Sequence, residues 1–308
     1  MKCSIFYIFI FLLFAGLFVQ AQTDSIAPKR PKIGLVLSGG GAKGFAHIGV
    51  LKVLEEVGLQ PDYITGTSMG GILGGFYALG FSADSIAKVV ALQDWELLMN
   101  DKIKRSDLAF QDKENDERYV LTLPIRKKGV DLPSGIVSGQ RVTSFFAEYC
   151  AGFHDSVNFK NFPIPFSCIA ADIETGNYYV MEKGYLPEAL RATMSIPSVF
   201  KPVTFDGRLL VDGGLVNNFP VAEVKKMGAD IVIGVDVQSP YFKREDLNSI
   251  LRIVEQSSKF LRAPMNEKNR AMCDIYLGPG IEEYSISSFT QYDSIIAKIG
   301  RASCRERV

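Results

Sequence analysis

The motif G-x-S-x-G at residues 66–70 is the stretch whose residue types and spacing could do chemistry. A short β-like run precedes it at 62–65, and an apolar run rich in small residues follows at 71–79. This strand–turn–helix setting predicts that Ser68 is a nucleophile on a strained turn. The turn needs Gly66 and Gly70, because a Cβ at either position is expected to clash with the neighbouring strand or helix. The alternative is that Thr67 or Ser68 merely caps a helix.

A glycine loop is the second candidate. The near-continuous apolar run at 32–38 indicates a strand buried on both faces, and it leads into this loop at the start of a predicted helix, residues 45–58. Successive backbone N–H groups at a helix N-terminus can stabilise developing negative charge. The loop is therefore predicted to form an oxyanion hole from Gly39, Gly40, Gly41, Ala42, Lys43 and Gly44.

The same loop has a competing interpretation, because Gly39-x-Gly41-x-x-Gly44 after a strand is also the dinucleotide fingerprint. That use requires an acidic residue at the C-terminal end of the second strand, where it would hold a ribose. Asp62 begins that strand instead, and the strand ends in the serine motif. The oxyanion-hole interpretation is favoured, and a nucleotide-binding oxidoreductase stays as an alternative.

A serine nucleophile needs a base, and histidine is scarce in this chain. Of its two histidines, His47 lies in the first predicted helix, where packing is its expected role, and His154 lies in a loop without a motif. A Ser68–Asp212 dyad is the economical solution, because two glycines follow Asp212 and permit close approach of another loop. An ordinary Asp-Gly turn is the alternative. Weaker candidates for the base, at the ends of predicted strands, are Asp172 and Asp236.

These three stretches, the loop at 39–44, the motif at 66–70 and Asp-Gly-Gly at 212–214, resemble the patatin-like phospholipases over roughly residues 32–300. The resemblance implies a Ser–Asp hydrolase fold, with a Ser–Asp dyad that hydrolyses lipid acyl esters without a metal or cofactor. By position it implies that Ser68 is the nucleophile, Asp212 the base, and the N–H groups of Gly40, Gly41 and their neighbours the oxyanion hole. The elbow and its support would then comprise Gly66, Met69, Gly70, Gly213 and Gly214.

The elements that must position these residues predict one α/β domain over 32–300. Strand-like and helix-like segments alternate, which predicts a layered, mostly parallel sheet flanked by helices. The resemblance implies that this sheet belongs to the patatin-like Ser–Asp hydrolase fold. After the serine motif, strands are predicted at 165–172, 177–182, 208–211, 230–235 and 274–277. Helices are predicted at 83–92, 138–150, 186–194, 221–227 and 244–261.

Residues 93–135 interrupt this alternation. They contain Trp95, a run of charged residues at 112–118 and an alternating segment at 119–123 that predicts a hairpin or flap. We expect a lid over the binding site, and the alternative is a solvated surface excursion.

The two ends differ from this body. A basic start, an apolar run from Ile5 to Val19 and small residues before Gln22 predict a secretory signal peptide over 1–21, followed by a linker at 22–31. A retained N-terminal anchor is the alternative. Residues 301–308 break the composition and resemble a translated sequencing adaptor, so an artefactual tail on a truncated chain is expected. Exported bacterial members of the resembled family often carry an outer-membrane β-barrel after this domain. The resemblance therefore implies a bacterial origin and a C-terminal barrel in a longer chain.

Composition excludes some classes of function. Lys and Arg number 34, as do Asp and Glu, and without its two ends the chain is slightly acidic. No basic face is implied, which argues against nucleic acid as a partner. No spacing typical of a metal site is present. The cysteines of the body lie in apolar surroundings and predict core residues at Cys150, Cys168 and Cys273.

The sequence therefore predicts an exported lipid acyl hydrolase of the phospholipase A or lipase type. It would act on phospholipid or another acyl-ester lipid at a membrane surface, in the periplasm, in the outer membrane or after secretion. The alternative from another class is a catalytically idle lipid-binding passenger of an outer-membrane protein.

Export gives the first testable prediction. Cleavage after Ala21 should leave a mature N-terminus near Gln22, because the residues before it fit the small-residue pattern of a signal peptidase site. Mass spectrometry of the protein purified from a host that expresses the full gene measures this terminus. An intact Met1 in the cytoplasmic fraction would contradict the prediction.

Overall fold

The structure is a computed structural model that describes residues 30–102, 125–126, 129–130, 135–153, 155, 157–248 and 250–299. The compact unit that contains the sheet begins at Lys32. The predicted signal peptide, most of the predicted linker, His154 and the tail at 301–308 lie outside the described residues. The interpretations placed on them stay predictions.

The elements of the described chain are as follows. The strands are β1 (Ile33–Leu37), β2 (Tyr63–Thr67), β3 (Ile125–Arg126), β4 (Gly129–Val130), β5 (Gly135–Val137), β6 (Val157–Asn158), β7 (Phe166–Asp172), β8 (Tyr178–Met181), β9 (Lys183–Gly184), β10 (Ser198–Phe200), β11 (Val203–Phe205), β12 (Arg208–Asp212), β13 (Ile231–Val235) and β14 (Ile275–Leu277). The α-helices are α1 (Ala46–Glu56), α2 (Met69–Ala78), α3 (Ala83–Ala91), α4 (Trp95–Met99), α5 (Gln140–Tyr149), α6 (Leu186–Thr193), α7 (Val221–Lys226), α8 (Ile250–Ala271) and α9 (Tyr292–Ala297).

The main sheet has eight strands, and its centre is parallel. Strands β7, β2, β1, β13 and β14 pair in that order, each parallel to its neighbour. Strands β8 and β12 pair antiparallel with β7, and β11 pairs antiparallel with β12. The predicted mostly parallel sheet is confirmed. The carboxyl ends of parallel strands share one edge of a sheet, where open α/β folds bind their ligands.

Strand β1 shows why its sequence is apolar at almost every position. Leu35 and Leu37 belong to the larger hydrophobic cluster, whereas Val36 belongs to a smaller cluster with Val221 and Val224 of α7. Successive side chains of a strand point to opposite faces, so both faces of the sheet are covered. The predicted layered α/β architecture with flanking helices is confirmed.

The long helix differs most from its prediction. The sequence predicts a helix over 244–261, whereas α8 spans Ile250–Ala271 and a separate 3₁₀ turn occupies Arg244–Asp246. Pro264 lies inside α8 without ending it. A proline costs one backbone hydrogen bond. The turns that follow it are held by side-chain hydrogen bonds, from Asn266 Nδ2 to Gln238 Oε1 and from Asn269 Nδ2 to Asn217 Oδ1, each of 3.0 Å. The shift places Arg262 in the middle of the helix.

Trp95, which the sequence assigns to a lid, packs into the body. Its ring centroid lies 5.1 Å from that of Phe45 and 5.3 Å from that of Phe289, and its indole N–H donates to the Val90 carbonyl. A short antiparallel pairing of β3 with β4 is also present. The segments at 112–118 and 119–123 lie outside the described residues, so the lid stays a prediction for them.

Candidate active site

The pairing of β7 explains how two residues so distant in sequence meet. On β7, Ile169 pairs with Thr67 of β2, and the next residue, Ala170, pairs with Asp212 of β12. Ser68 follows Thr67 directly, so its side chain emerges beside that of Asp212. The Ser68 hydroxyl donates a hydrogen bond of 2.7 Å to Oδ2 of Asp212.

Ser68 occupies a strained turn at the start of α2. Its φ is 53° and its ψ is −126°, a backbone region that L-residues rarely enter. The Ser68 N–H donates to Thr193 Oγ1 at 2.9 Å, which holds the turn from α6. A Cβ on Gly66 would lie 2.5 Å from the Gly70 carbonyl, and one on Gly70 would lie 2.3 Å from the Leu37 carbonyl oxygen. The predicted need for both glycines is confirmed.

Asp212 is buried, and each of its carboxyl oxygens has a partner. Oδ2 accepts the Ser68 hydroxyl, and Oδ1 accepts the Gly214 N–H at 2.7 Å. Burial raises the pKa of Asp212 to about 6, against the opposing effects of the Gly214 and Ser68 hydrogen bonds and the positive charge of Arg262. A carboxylate with a pKa near 6 is a better general base at neutral pH than an ordinary aspartate.

The glycine loop lies against the elbow. Some of its predicted N–H donors are already hydrogen-bonded within the protein, and others are not. The Gly39 N–H donates to the Asn218 carbonyl at 3.2 Å, and the Ala42 N–H donates to the Ile286 carbonyl at 2.9 Å. These two amides are engaged, so their assignment to the oxyanion hole needs correction. The N–H groups of Gly40 and Gly41 donate no hydrogen bond within the described part of the chain.

Lys43 and Gly44 also have structural roles in the loop. Both lie in the 3₁₀ turn Gly41–Phe45. The Lys43 side chain is buried and donates to the Ser239 hydroxyl. A Cβ on Gly44 would lie 2.3 Å from Cγ of Met69, so the loop backbone rests directly on the residue after Ser68. Gly40 and Gly41, whose amides donate no hydrogen bond within the described residues, are the remaining candidates for an oxyanion hole.

Asn218 joins the loop to the Asp212 turn, a role that the sequence analysis missed. Its Nδ2 donates to the Gly39 carbonyl at 3.0 Å. Its Oδ1 would lie 2.4 Å from a Cβ on Gly39 and 2.6 Å from a Cβ on Gly214. Both glycines are thus required by close approach to one amide. An asparagine shortly after Asp-Gly-Gly was visible in the sequence, but no spacing rule distinguishes it.

Arg262 of α8 is a second residue that the sequence analysis missed. Its Nη1 donates to the Gly214 carbonyl at 2.7 Å, on the turn that caps Oδ1 of Asp212. Its Nε donates to Oε1 of Gln238 at 3.2 Å. The predicted helix boundary at 261 concealed this contact.

His47 has the packing role that the sequence predicts. Its side chain is fully buried, and Nε2–H donates to the Ser38 carbonyl at 2.8 Å, directly before the glycine loop. Burial lowers the pKa of His47 to about 4. The ring is therefore neutral at pH 7, and no contact links it to the Ser68 hydroxyl.

The alternative acids are engaged elsewhere. Arg208 Nη1 donates to Oδ2 of Asp172 at 3.0 Å, and Arg270 Nη2 donates to Oδ2 of Asp236 at 2.6 Å. Asp62 accepts the Ile33 N–H at 2.9 Å, at the edge of the sheet opposite the glycine loop. That position contradicts the dinucleotide interpretation, which needs an acid at the other edge.

Two features are absent from the described residues. No group of three His, Cys, Asp or Glu side chains there could hold a metal ion, and independence from metals stays a prediction. Within the same residues, no helix is both long enough and apolar enough for a membrane crossing. Cys150 and Cys168 are buried free thiols, as predicted for core residues, and Cys273 is partly buried.

The family assignment rests on a direct match. Residues 35–225 match the model of the family described as patatin-like phospholipase. The match covers more than half of the chain and includes the glycine loop, the Ser68 elbow and Asp212. The chain belongs to the patatin-like phospholipase family.

Curated relatives include fungal proteins named lysophospholipase NTE1. The chain is 30% identical to that of Candida albicans over 295 residues, which is 87% of this chain and 19% of the relative. It is 28% identical to that of Emericella nidulans over 300 residues, 89% of this chain and 18% of the relative. The chain thus spans less than a fifth of the length of these relatives. Because they are fungal, the bacterial origin and the export inferred from the sequence stay predictions.

Solved structures with a similar arrangement include VipD from Legionella pneumophila, with a TM-score of 0.41, 15% identity and coverage of 88% of this chain and 67% of that one. Another is the ExoU–SpcU complex of Pseudomonas aeruginosa, with a TM-score of 0.41, 16% identity and coverage of 89% and 50%.

The raised pKa of Asp212 predicts the acid limb of the activity profile. The base must be ionised to accept the Ser68 proton, so kcat/KM should fall tenfold per pH unit below the pKa of about 6. Initial rates on a soluble acyl ester between pH 4.5 and 8.5 measure this limb. A plateau that extends below pH 5 would contradict the described environment of Asp212.

The same shift predicts how stability depends on pH. Because the folded-state pKa is raised from 3.8 to about 6, folding favours the protonated carboxyl, and that stabilisation is lost as pH rises through 6. Asp212→Asn cannot ionise, so its melting temperature relative to the wild type should rise by a few degrees between pH 4 and pH 7.5. Thermal unfolding at both pH values tests this. A difference that is constant, or that falls towards pH 7.5, would contradict it.

Proposed function

We propose that this chain is a serine-dependent lipid acyl hydrolase that cleaves carboxylic esters through a Ser68–Asp212 dyad. The observation that carries the proposal is the buried hydrogen bond of 2.7 Å from the Ser68 hydroxyl to Asp212. It is formed on a strained elbow that the glycine loop contacts, since a Cβ on Gly39 would lie 3.0 Å from Cβ of Ser68. In that loop the N–H groups of Gly40 and Gly41 donate no hydrogen bond within the described residues. Membership of the patatin-like phospholipase family supports the choice of acyl-ester lipids as substrates.

Acylation follows from this geometry. Asp212 Oδ2 accepts the hydroxyl proton as Ser68 Oγ bonds to the ester carbonyl carbon. The carbonyl oxygen becomes an oxyanion, and we assign its stabilisation to the N–H groups of Gly40 and Gly41. The carbon–oxygen bond to the alcohol part then breaks, and the alcohol leaves with the proton that Asp212 carried. The acyl group remains on Ser68.

Deacylation uses the same groups in reverse order. A water molecule gives a proton to Asp212 and its oxygen attacks the acyl carbon. The bond to Ser68 Oγ breaks, the fatty acid leaves, and the proton returns from Asp212 to the serine. The pKa of Asp212, raised to about 6 by burial, suits a group that must accept and release a proton in each half-reaction.

The substrate class and location extend this proposal. The NTE1 relatives are named lysophospholipases, which supports phospholipids or lysophospholipids as substrates and a membrane surface as the place of reaction. The basic start, apolar run and small residues of the first 21 positions support export, to the periplasm, to the outer membrane or outside the cell.

Substitution of the dyad tests the proposal. Ser68→Ala should abolish release of fatty acid from lysophosphatidylcholine measured with EDTA present, and Asp212→Asn should lower it by about 10²–10⁴-fold, the typical cost of losing a general base. Asp172→Asn is the matched control, because it removes a buried carboxylate that bonds Arg208 instead of Ser68. His47→Gln should lose less than Ser68→Ala.

Two outcomes would overturn the proposal. Release that survives in Ser68→Ala would remove Ser68 from the chemistry. A His47→Gln enzyme that is folded and as inactive as Ser68→Ala would indicate a triad, and the role given to Asp212 would be wrong.

A further inference from the structure

Arg262 joins the middle of α8 to the turn that holds the candidate base. Its Nη1 donates to the Gly214 carbonyl at 2.7 Å. The N–H of that same residue donates to Oδ1 of Asp212 at 2.7 Å. One peptide unit on each side of Gly214 is therefore fixed, one by the arginine and the other by the aspartate. Arg262 lies beyond residues 35–225, the part of the chain that the family model matches.

The arginine is itself held in place from behind. Its Nε donates to Oε1 of Gln238 at 3.2 Å, and the same oxygen accepts Nδ2 of Asn266, a buried residue one turn further along α8, at 3.0 Å. A guanidinium has a planar, rigid set of donors, so two bonds in different directions fix both its place and its orientation. This is the arrangement expected of a group that sets the position of another.

Charge gives the arginine a second effect. Burial lowers the pKa of Arg262 and Lys259 adds to this effect, whereas Asp212, Glu255, Asp236 and Tyr241 oppose it. Arg262 remains a cation in any case, because guanidinium groups stay protonated in proteins. The groups that act on Asp212 are the Gly214 N–H, the Ser68 hydroxyl and Arg262, so Arg262 is the only charged group among them in the described residues.

We propose that Arg262 is a positioning residue for the Ser68–Asp212 dyad, which fixes the Gly214 turn and keeps the buried Asp212 carboxyl ionised. The proposal rests on the proposed function. Without the bond to the Gly214 carbonyl, the Gly214 N–H is free to turn away from Oδ1. Without the positive charge of Arg262, burial raises the pKa of Asp212 further. The base is then protonated at a higher pH.

The test compares Arg262→Gln, Arg262→Lys and Arg252→Gln by the pH dependence of kcat/KM on a soluble acyl ester. Arg262→Gln should move the acid limb upward by about one pH unit, the usual effect of a lost neighbouring charge. It should also lower kcat/KM on the plateau by about tenfold, since misplacement of a catalytic group is costly. Arg262→Lys keeps the charge, so its limb should return towards the wild-type position.

Arg252→Gln is the matched control. Arg252 lies on the same helix, and its Nη1 donates to the carbonyl and the carboxylate of Asp246, remote from the dyad. This variant loses one positive charge of α8 and should keep the wild-type limb and plateau. A limb that moves equally in Arg252→Gln and Arg262→Gln would overturn the proposal, because it would show an unspecific effect of net charge.

Two further outcomes separate this proposal from the function on which it rests. An acid limb that stays in place in folded Arg262→Gln, while Ser68→Ala is inactive, overturns the role of Arg262 alone. Hydrolysis that survives in Ser68→Ala overturns the proposed function and this proposal with it.

Should Arg262→Gln fail to fold, Gln238→Met decides instead. It removes the acceptor of Nε but leaves the arginine charge. We expect kcat to fall several-fold with KM and the acid limb unchanged, because the arginine is present but no longer fixed. A wild-type kcat in this variant would overturn the proposal.

Discussion

The hydrogen bond from the Ser68 hydroxyl to the Asp212 carboxylate is the constraint on which the rest of this structure depends. It lies in the interior, where Ser68 is 7% exposed and Asp212 6%. A charge there is costly unless each oxygen has a donor, and both carboxyl oxygens have one. The order β12, β7, β2 in the sheet makes this bond possible, because adjacent residues of β7 pair with Thr67 and with Asp212.

Close approach of backbone is the second requirement, and it explains where the glycines are. The elbow presses against the end of β1, and the Asp212 turn presses against Asn218. A single Cβ at Gly70 or Gly214 would occupy space already taken by a carbonyl or an amide oxygen. Three loops from the carboxyl ends of β1, β2 and β12 can therefore converge on one hydroxyl. The His47 ring donates to the Ser38 carbonyl, directly before the glycine loop. The ring is neutral, since burial lowers its pKa to about 4.

The sequence predicted those parts of the site that local backbone geometry dictates. Ser68, its two glycines and Asp212 could be found because a sharp turn and a close approach restrict residue type, and these restrictions leave a pattern. The same reasoning could not separate Gly40 and Gly41 from Gly39 and Ala42, because the amides of the last two are engaged by Asn218 and Ile286, which are remote in sequence. Arg262 was missed and Trp95 was assigned to a lid for the same reason. Tertiary contacts alone define the positions of both residues. The predicted end of α8 was wrong because hydrogen bonds from Asn266 to Gln238 and from Asn269 to Asn217, which are remote in sequence, hold the turns that follow Pro264.

The most direct test of the dyad is the rate and position of covalent labelling by a fluorophosphonate, which reacts with an activated serine and needs no lipid. The rate is followed by intact mass, and peptide mapping locates the adduct. The account predicts one adduct, on Ser68, that forms far more slowly in folded Asp212→Asn and at a comparable rate in Asp172→Asn. An adduct on another residue, or unchanged labelling of Ser68 in Asp212→Asn, would contradict it.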